Sequence, residues 1–357
     1  MLGAGVSGLT SALCLKERGF DPTVVAEKFA PSVTSVVAGA LWESPPAVCG
    51  FQTDHAALKR AREWSRISYR RFASLGRDSQ TGVFMRTVNF YFRRPVAENP
   101  RQLSKMNDLR QHVDGFIHDR SLAAANSVNP EFGINDAYAH QAPMIDTDAY
   151  MSWLLERVRQ AGCRIICRKI SGSLRGQESS LRREFSAEAI VNCAGLGARE
   201  LAGDEVYPVR GALVRIRNDG RAMPRITEAH CVSRDDASDE PGFVFIVPRG
   251  HDMLVLGGLA EPDEWEMNIG LDNYAPLRRV YERCVDFLPV LKRGQIDGAE
   301  PARVGLRPFR RDYVRLEREP GTRIVHNYGH GGSGVTLSWG CASEVAETVG
   351  RMLSCSE

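Results

Sequence analysis

The chain contains 357 residues with a formal net charge of +2, and 43% of its residues are hydrophobic and 25% charged. This is the composition of an ordinary globular protein, and the length predicts two domains. No basic block suggests nucleic-acid binding, and no apolar run approaches the ~18 residues of a membrane span. Nine irregularly spaced cysteines without a CxxC motif argue against a disulfide framework or a metal site. We therefore expect a cytoplasmic protein without a signal peptide or a peroxisomal Ser-Lys-Leu terminus.

In chain order, the first 28 residues predict the end of a strand, a glycine turn, a helix and a second strand. Such a βαβ start predicts a parallel sheet. Apolar periodicity predicts further helices at residues 56–73, 146–161, 274–287 and 338–353. β-Branched or alternating runs predict strands at residues 83–93, 163–170, 187–193, 207–217, 243–247, 253–256 and 323–328. Both ends of the chain combine predicted helices with strands, and the stretches between them are rich in strands. This arrangement indicates two domains whose segments are interleaved along the chain.

The first predicted turn contains Gly3, Gly5 and Gly8, which fit the GxGxxG pattern. The first glycine permits a tight turn, the second lets backbone N–H groups approach a pyrophosphate, and the third lets the helix pack close to the strand. Glu27 follows Gly8 by nineteen residues, at the end of the second strand. A carboxylate at that position accepts hydrogen bonds from ribose hydroxyls, so the pattern predicts a dinucleotide site.

Only Met1 and Leu2 precede Gly3, although the first strand of such a fold is central and usually ~5–6 residues long. Two explanations are open: translation starts upstream, or the protein tolerates a short central strand. In the second case we expect the loss of ladder hydrogen bonds to both neighbouring strands and weaker cofactor binding.

The segment from His326 to Thr336 contains four glycines within six residues, just before the last predicted helix. Such a loop lets the backbone approach a planar ligand closely. Glycine loops near both ends of the chain predict one large cofactor between them. We interpret His326 and His330 in this segment as structural hydrogen-bonding residues and not as metal ligands.

Several stretches carry a resemblance to a known family: Gly3–Gly8 with Glu27, Thr34–Trp42, Val191–Gly195, Gly305–Pro308, and His326–Thr336 with Trp339–Ala342. In this order they resemble the D-amino-acid oxidase family of flavoproteins over nearly the whole chain. The resemblance implies bound FAD in a doubly wound, Rossmann-like α/β domain that is interleaved with a mixed-sheet substrate domain. The predicted FAD-binding domain comprises residues 1–45, 140–200 and 300–357, and the substrate-binding domain comprises residues 46–139 and 201–299.

The resemblance also implies which residues bind FAD. Hydroxyl groups are expected beside the pyrophosphate, and small residues along one side of the isoalloxazine. Backbone and hydroxyl donors at the start of the last helix are expected at the O2–N1 edge, where they favour the negative charge of reduced flavin. The expected FAD-binding residues are Gly3, Gly5, Val6, Ser7, Gly8, Glu27, Thr34, Ser35, Gly39, Ala40, Leu41, Ile170, Gly331, Gly334, Val335 and Thr336.

For the substrate, the resemblance assigns Arg307 to the carboxylate, which a guanidinium binds through two parallel N–H donors. The carbonyl of Gly332 is expected to accept a hydrogen bond from the substrate amine. Phe245 stands where members of the family usually carry a tyrosine whose hydroxyl helps to hold the carboxylate. The missing hydroxyl is expected to weaken carboxylate binding by about ten- to a hundredfold.

Other features that bear on specificity lie outside these motifs. The lid-like stretch from Asp235 to Gly242 lacks a tyrosine that some relatives carry there. Glu43 either faces the pocket, where it would favour a cationic or polar side chain, or caps the following turn. An acidic substrate would require an additional cation in the pocket, and the sequence alone does not place Arg249 or His251 there.

The implied reaction is direct transfer of a hydride from the Cα of a D-amino acid to flavin N5, without a protein base. The imino acid hydrolyses to a keto acid and ammonia, and oxygen is reduced to hydrogen peroxide. Two alternatives remain open: a related flavin amine oxidase with a glycine-like, cyclic, acidic or biosynthetic amino substrate, and a flavin-free or catalytically silent binding protein. The expected partners are the amino acid and oxygen, without nucleic acid, membrane or metal, and a homodimer is left open.

Overall fold

The computed structural model describes residues 1–44, 54–232 and 243–354. The α-helices among them are α1 (Val6–Glu17), α2 (His55–Leu75), α3 (Pro100–His112), α4 (Leu122–Ala125), α5 (Thr147–Gln160), α6 (Leu174–Glu184), α7 (Ala198–Leu201), α8 (Ala275–Phe287) and α9 (Gly334–Ser354). The β-strands are β1 (Val24–Ala26), β2 (Val83–Phe92), β3 (Ile117–His118), β4 (Asp136–Ile145), β5 (Ile165–Cys167), β6 (Ile190–Asn192), β7 (Val206–Arg217), β8 (Ala229–Val232), β9 (Val244–Arg249), β10 (Met253–Gly257), β11 (Glu261–Pro262), β12 (Ala302–Arg310), β13 (Arg315–Arg318) and β14 (Ile324–Tyr328). The lid-like stretch from Asp235 to Gly242 lies outside the described residues.

A layer of short strands contains residues from both ends of the chain. β1 pairs in parallel with β5, β6 pairs in parallel with β14, and β14 pairs antiparallel with β13. Leu2 forms parallel bridges to Val25 in β1 and to Asn192 in β6, so it joins the two groups of strands into one layer. All three residues are buried. The Val- and Ile-rich strands of this layer are typical of a parallel sheet that is covered on both faces.

The expected loss of ladder hydrogen bonds at the short first strand is wrong. The N–H of Leu2 donates to the carbonyl of Val191 at 2.8 Å, and the N–H of Gly3 donates to the carbonyl of Val25 at 2.9 Å. The N–H of Cys193 donates in turn to the carbonyl of Leu2 at 2.8 Å. Because successive peptide groups of a strand point to opposite sides, a very short segment can bond to both neighbours.

The second layer is a mixed sheet with nine described strands in the order β11-β7-β10-β9-β8-β2-β4-β3, with β12 also paired to β7. β2 and β8 run parallel, and β12 runs antiparallel to β7. The register places Gly305 of β12 opposite Gly211 of β7, and Arg307 opposite Val209. Side chains two residues apart share a face of a strand, so Arg307 lies on the same face as Gly211.

The first and last helices pack against each other and keep the two ends of the chain together. The hydroxyl of Thr10 in α1 donates to the carbonyl of Ser338 in α9 at 3.3 Å, and both residues are fully buried. α2 crosses α9 at Gly340, where an added Cβ would lie only 2.3 Å from the Cα of Trp64. The missing side chain at Gly340 therefore permits direct contact between the two helix backbones.

The mixed α/β architecture agrees with the expected fold class, whereas the domain boundaries stay a prediction. Two elements lie apart from their predicted neighbours. β12 belongs to the large sheet, although the prediction assigns residues 300–357 to the FAD-binding domain. α2 packs against α9, although the prediction assigns residues 46–139 to the substrate-binding domain. Local periodicity does not reveal either long-range contact.

Candidate active site

A cavity of about 850 Å³ is lined by both glycine loops and by residues of both layers. Loops from opposite ends of the chain therefore meet at one site. The predicted residues that line it are Gly3, Gly5, Val6, Ser7, Glu27, Thr34, Ser35, Gly39, Ile170, Arg307, Gly331, Gly332, Gly334 and Val335.

The other predicted site residues are not among those that line the cavity: Gly8, Ala40, Leu41, Phe245 and Thr336. Gly8 serves packing, because an added Cβ there would lie 2.0 Å from the carbonyl oxygen of Gly3. Ala40, Leu41 and Thr336 are buried in the same segments as lining residues.

Glycine determines the shape of the turn before α1. Gly3 has a φ of +103°, and an added Cβ there would lie 2.5 Å from the carbonyl oxygen of Cys193. Gly5 precedes α1 and provides no side-chain cap. Ser35 supports the turn, since its Oγ accepts a hydrogen bond from the N–H of Val6 at 2.9 Å. The remaining N–H groups and the positive end of the helix dipole suit an anion such as a pyrophosphate.

His330 connects the C-terminal glycine loop to the N-terminal one. Its Nε2 lies 3.0 Å from Oδ1 of Asn327, and its Nδ1 lies 3.5 Å from Oγ of Ser7. Nδ2 of Asn327 donates to Oγ of Ser11 in α1 at 3.1 Å. Oδ1 of this amide is therefore the acceptor, and Nε2 of His330 is the donor. Burial lowers the pKa of His330 to about 4, so the ring is neutral near pH 7, in line with its predicted hydrogen-bonding role.

Arg307 lies on β12 and lines the cavity. Its Nη1 donates to the carbonyl of Leu259 at 3.1 Å and to that of Arg210 at 3.4 Å. Within the described residues these are its only hydrogen bonds, and no carboxylate pairs with it. Burial without a counter-charge lowers the pKa of Arg307. Its Nε and Nη2 remain available to a ligand, and an anion would offset the unfavourable burial of the charge.

Phe245 lies beside the cavity wall. An added Cβ on Gly39 would lie 2.8 Å from Cζ of Phe245, so the edge of the ring rests against the α-carbon of Gly39. The ring also stacks on Phe243, with centroids 6.3 Å apart. The ring carbon that carries the hydroxyl in a tyrosine therefore borders Gly39, which itself lines the cavity.

Glu43 was expected to face the pocket or to cap the following turn, and neither expectation included the partner that it has in the structure. Its carboxylate forms an ion pair with Lys105 of α3, whose side chain is 4% exposed. Arg249 and His251 do not line the cavity. Arg249 instead donates a hydrogen bond to the carbonyl of Gly39, and the ring of His251 packs on an aromatic ring of β2.

Other lining residues were not predicted from the sequence. Those of β7 belong to no motif, and only their pairing with β12 brings them to the site. The glycines after β6 directly follow a predicted strand, and this position is a sequence signal that could have identified them as site residues. The lining residues outside the stretches named from the sequence include Gly197, Gly211 and Leu213.

The residues present fit a flavin dinucleotide. Several lining positions, such as Gly3 and Gly331, have a positive φ and crowded surroundings that exclude a side chain, so bare backbone faces the cavity. The uncapped start of α1 suits a pyrophosphate, and Glu27 at the end of β1 suits ribose hydroxyls. No group of three metal-ligating side chains occurs in the described part of the chain. Nor does any helix in these ranges have the length and apolarity to cross a membrane.

The chain is similar to known proteins over nearly its whole length. Residues 2–348 match the profile of a family described as FAD dependent oxidoreductase. A protein of Rubrobacter xylanophilus named D-amino-acid oxidase is 36% identical over 358 residues, which cover 99% of this chain and 96% of that protein. A protein of Streptomyces coelicolor with the same name is 36% identical over 355 residues, which cover 97% and 94%.

Solved structures share the fold at low identity. Glycine oxidase from Geobacillus kaustophilus superimposes with a TM-score of 0.75 at 17% identity, covering 98% of this chain and 93% of that chain. L-proline dehydrogenase from P. horikoshii superimposes with a TM-score of 0.76 at 14% identity, covering 98% and 92%. These likenesses confirm the expected fold class. The family match confirms FAD as the cofactor.

Proposed function

The chain belongs to the DAO family of FAD-dependent oxidoreductases, and from that premise we propose that it oxidises D-amino acids with oxygen as the electron acceptor. Two relatives at 36% identity that are named D-amino-acid oxidase support this specificity. When bound, FAD supplies the hydride acceptor of the reaction. The protein supplies binding, orientation and the electrostatic surroundings.

The observation that carries the proposal is the position of Arg307 together with its lack of an ion-pair partner. It lines the same cavity as both glycine loops, and it has no carboxylate partner among the described residues. Two of its nitrogens make no hydrogen bond there, and two N–H donors match the two oxygens of a carboxylate. The cavity therefore favours an amino acid over an amine that lacks a carboxylate.

Orientation is the main task of the protein in this reaction. Arg307 would fix the carboxylate, and the carbonyl of Gly332 would accept a hydrogen bond from the neutral amine. Two such anchors fix the direction in which the substrate Cα–H points. No protein base is needed, because the hydrogen leaves Cα as a hydride and the resulting iminium group loses a proton to solvent. Water then hydrolyses the imino acid to a keto acid and ammonia, and oxygen is reduced to hydrogen peroxide.

Phe245 favours a second candidate function. Because the ring of Phe245 has no hydroxyl, the substrate carboxylate has fewer hydrogen-bond donors. Substrate binding therefore depends less on the carboxylate. A related flavin amine oxidase that acts on a glycine-like, cyclic, acidic or biosynthetic amino substrate is consistent with this feature.

A peroxide assay with D-amino acids, L-amino acids and simple amines tests the proposal. We expect D-amino acids to give the highest kcat/KM. In an Arg307→Ala variant, kcat/KM for D-amino acids should fall by about a hundredfold or more, because a charge-assisted bidentate contact is lost. Reaction with only L-amino acids or only simple amines would exclude the first candidate and favour the second.

Arg303 provides a matched control on the same strand. It lies on the same face of β12, but its guanidinium already pairs with Asp148 and Glu300, and it does not line the cavity. An Arg303→Met variant should lose stability without a selective rise in KM for the amino acid. If the KM for the amino acid rises equally in both variants, Arg307 does not have the proposed role.

A further inference from the structure

Arg249, the last residue of β9, is a buried cation whose hydrogen bonds all go to uncharged groups. Its side chain is almost fully buried, and its Nη2 donates to the carbonyl of Ala38 at 2.6 Å and to that of Gly39 at 3.2 Å. Its Nη1 donates to Oγ1 of Thr147 at 2.7 Å. Burial lowers the pKa of Arg249 to about 10, and within the described residues no carboxylate is hydrogen-bonded to it.

Thr147 connects Arg249 to a third carbonyl of the segment that contains Ala38 and Gly39. Its Oγ1 donates to the carbonyl of Val36 at 2.5 Å. The carbonyls of Val36, Ala38 and Gly39 are thus held by one connected pair of side chains, Arg249 and Thr147. Ala38 and Gly39 line the cavity, whereas Arg249 and Thr147 do not. The pair therefore holds the cavity wall from its outer side.

The direction of these carbonyls determines the direction of two N–H groups. In a planar trans peptide the C=O and the following N–H point in opposite directions. Because the carbonyls of Ala38 and Gly39 point at Arg249, the N–H groups of Gly39 and Ala40 point away from it. Neither N–H donates to a described residue. Ala40 is buried and Gly39 lines the cavity, so a ligand in the cavity is the natural acceptor for these N–H groups.

The wall is held firmly at the same place by other contacts. The ring edge of Phe245 rests against Gly39, and Ala40 has a φ of +52°, which is unfavourable for a residue with a side chain. A strained backbone persists only where its surroundings fix it. A buried guanidinium whose hydrogen bonds all go to uncharged groups is also unfavourable, and the nearby charge of Asp146 offsets this cost only in part.

We propose that Arg249 is a positioning residue for the flavin: it turns the N–H groups of Gly39 and Ala40 towards the cavity, where they donate to the bound ring system. Its positive charge, one peptide group behind the wall, favours the negative charge that the ring gains on reduction. The inference rests on the cofactor of the family and not on the proposed substrate, so each can fail without the other.

Sulfite titration of the holoenzyme tests the inference without a substrate. Sulfite adds reversibly to oxidised flavin and leaves negative charge on the ring system, so its affinity reports the donors and charges around the ring. The variants are Arg249→Met, which removes charge and donors, and Arg249→Lys, which keeps the charge but has no fork for two carbonyls and a hydroxyl. Arg215→Met is the control, because Arg215 pairs with Asp297 and does not line the cavity.

We expect the sulfite dissociation constant to rise about tenfold or more in Arg249→Met, with a lower midpoint potential of the flavin. Arg249→Lys should lie between this variant and the wild type, and Arg215→Met should match the wild type. A dissociation constant in folded Arg249→Met within about twofold of the wild type overturns the inference. If Arg249→Met does not fold, Arg249→Lys decides: an unchanged constant overturns the inference, and a raised constant supports it.

Discussion

The face of the Arg307 guanidinium covers the α-carbon of Gly211. A Cβ added to Gly211 would lie 2.1 Å from Nη1, 2.3 Å from Cζ and 2.4 Å from Nη2 of Arg307. These nearly equal distances show that the plane of the group faces β7 across the position where other residues carry a side chain. The absence of a side chain at Gly211 therefore allows the guanidinium to lie on the sheet with its free edge towards the cavity.

Replacement of Gly211 by alanine should displace Arg307. We expect Gly211→Ala to raise the KM for D-amino acids about tenfold or more, because the guanidinium can no longer hold the carboxylate in line. Flavin content should stay unchanged, since the flavin-binding loops are not affected. Steady-state kinetics and the absorbance of bound flavin measure both effects.

Gly298→Ala is the control for this substitution, because a Cβ there has no atom within 4 Å. Its KM should equal that of the wild type. A Gly211→Ala enzyme with a wild-type KM would show that the position of Arg307 does not depend on the bare α-carbon beneath it.

Two glycines of α9 should respond to alanine in opposite directions. A Cβ on Gly340 would lie 2.3 Å from the Trp64 backbone, whereas a Cβ on Gly350 would meet only Phe20 at 3.9 Å. We expect Gly340→Ala to reduce the free energy of unfolding by about 1–3 kcal/mol through overpacking. Gly350→Ala should increase it by about 0.5–1 kcal/mol through helix propensity.

Thermal and urea unfolding of the two variants measure these differences. Since both substitutions are in one helix, the intrinsic helix propensity of alanine is a shared contribution. Equal stabilisation of both variants would mean that α2 and α9 are not in backbone contact.

Stability should fall on the acid side of neutrality because buried histidines resist protonation. Burial lowers the pKa of His140 to about 4, a hydrogen bond to the Gln141 carbonyl opposes this shift, and the charge of Lys105 adds to it. In the unfolded chain the imidazole takes a proton below its ordinary pKa of about 6.5. The stabilising contribution is therefore complete above about pH 6.5 and is lost as the pH falls towards 4.

Each such histidine lowers the free energy of unfolding by up to about 1.4 kcal/mol per pH unit in this window. His230 and His330 also have a pKa of about 4, so their contributions add to that of His140. Urea unfolding at several pH values should show a shallower dependence for His140→Phe than for the wild type. Identical slopes for His140→Phe and the wild type would contradict the assignment.

Local motifs predicted that the glycine loops from both ends of the chain contribute to one site. Gly3, Gly5 and Gly331 act through backbone conformation, which a glycine pattern reveals directly, and they line one cavity. Arg307 was assigned through the resemblance to a known family, and it lines the same cavity. Motifs of this kind report local geometry, and local geometry is encoded by neighbouring residues.

The residues that support the site could not be predicted in this way. The contact of Gly211 with Arg307 depends on the register between β7 and β12, which are far apart in the sequence. Arg249 precedes a turn glycine and resembles a surface charge, yet it is buried against Ala38. Partners of buried charges follow from tertiary packing, and a single sequence does not contain that information in local form.

The most direct test of the central claim compares a D-amino acid with its amide, for example D-alanine with D-alaninamide, as substrates of the wild type and of Arg307→Ala. The two substrates differ in the carboxylate, which is the group assigned to Arg307. We predict that the wild type prefers the acid by about a hundredfold or more in kcat/KM, and that the variant loses most of this preference. An Arg307→Ala enzyme that retains bound flavin and the full preference for the acid would contradict the claim.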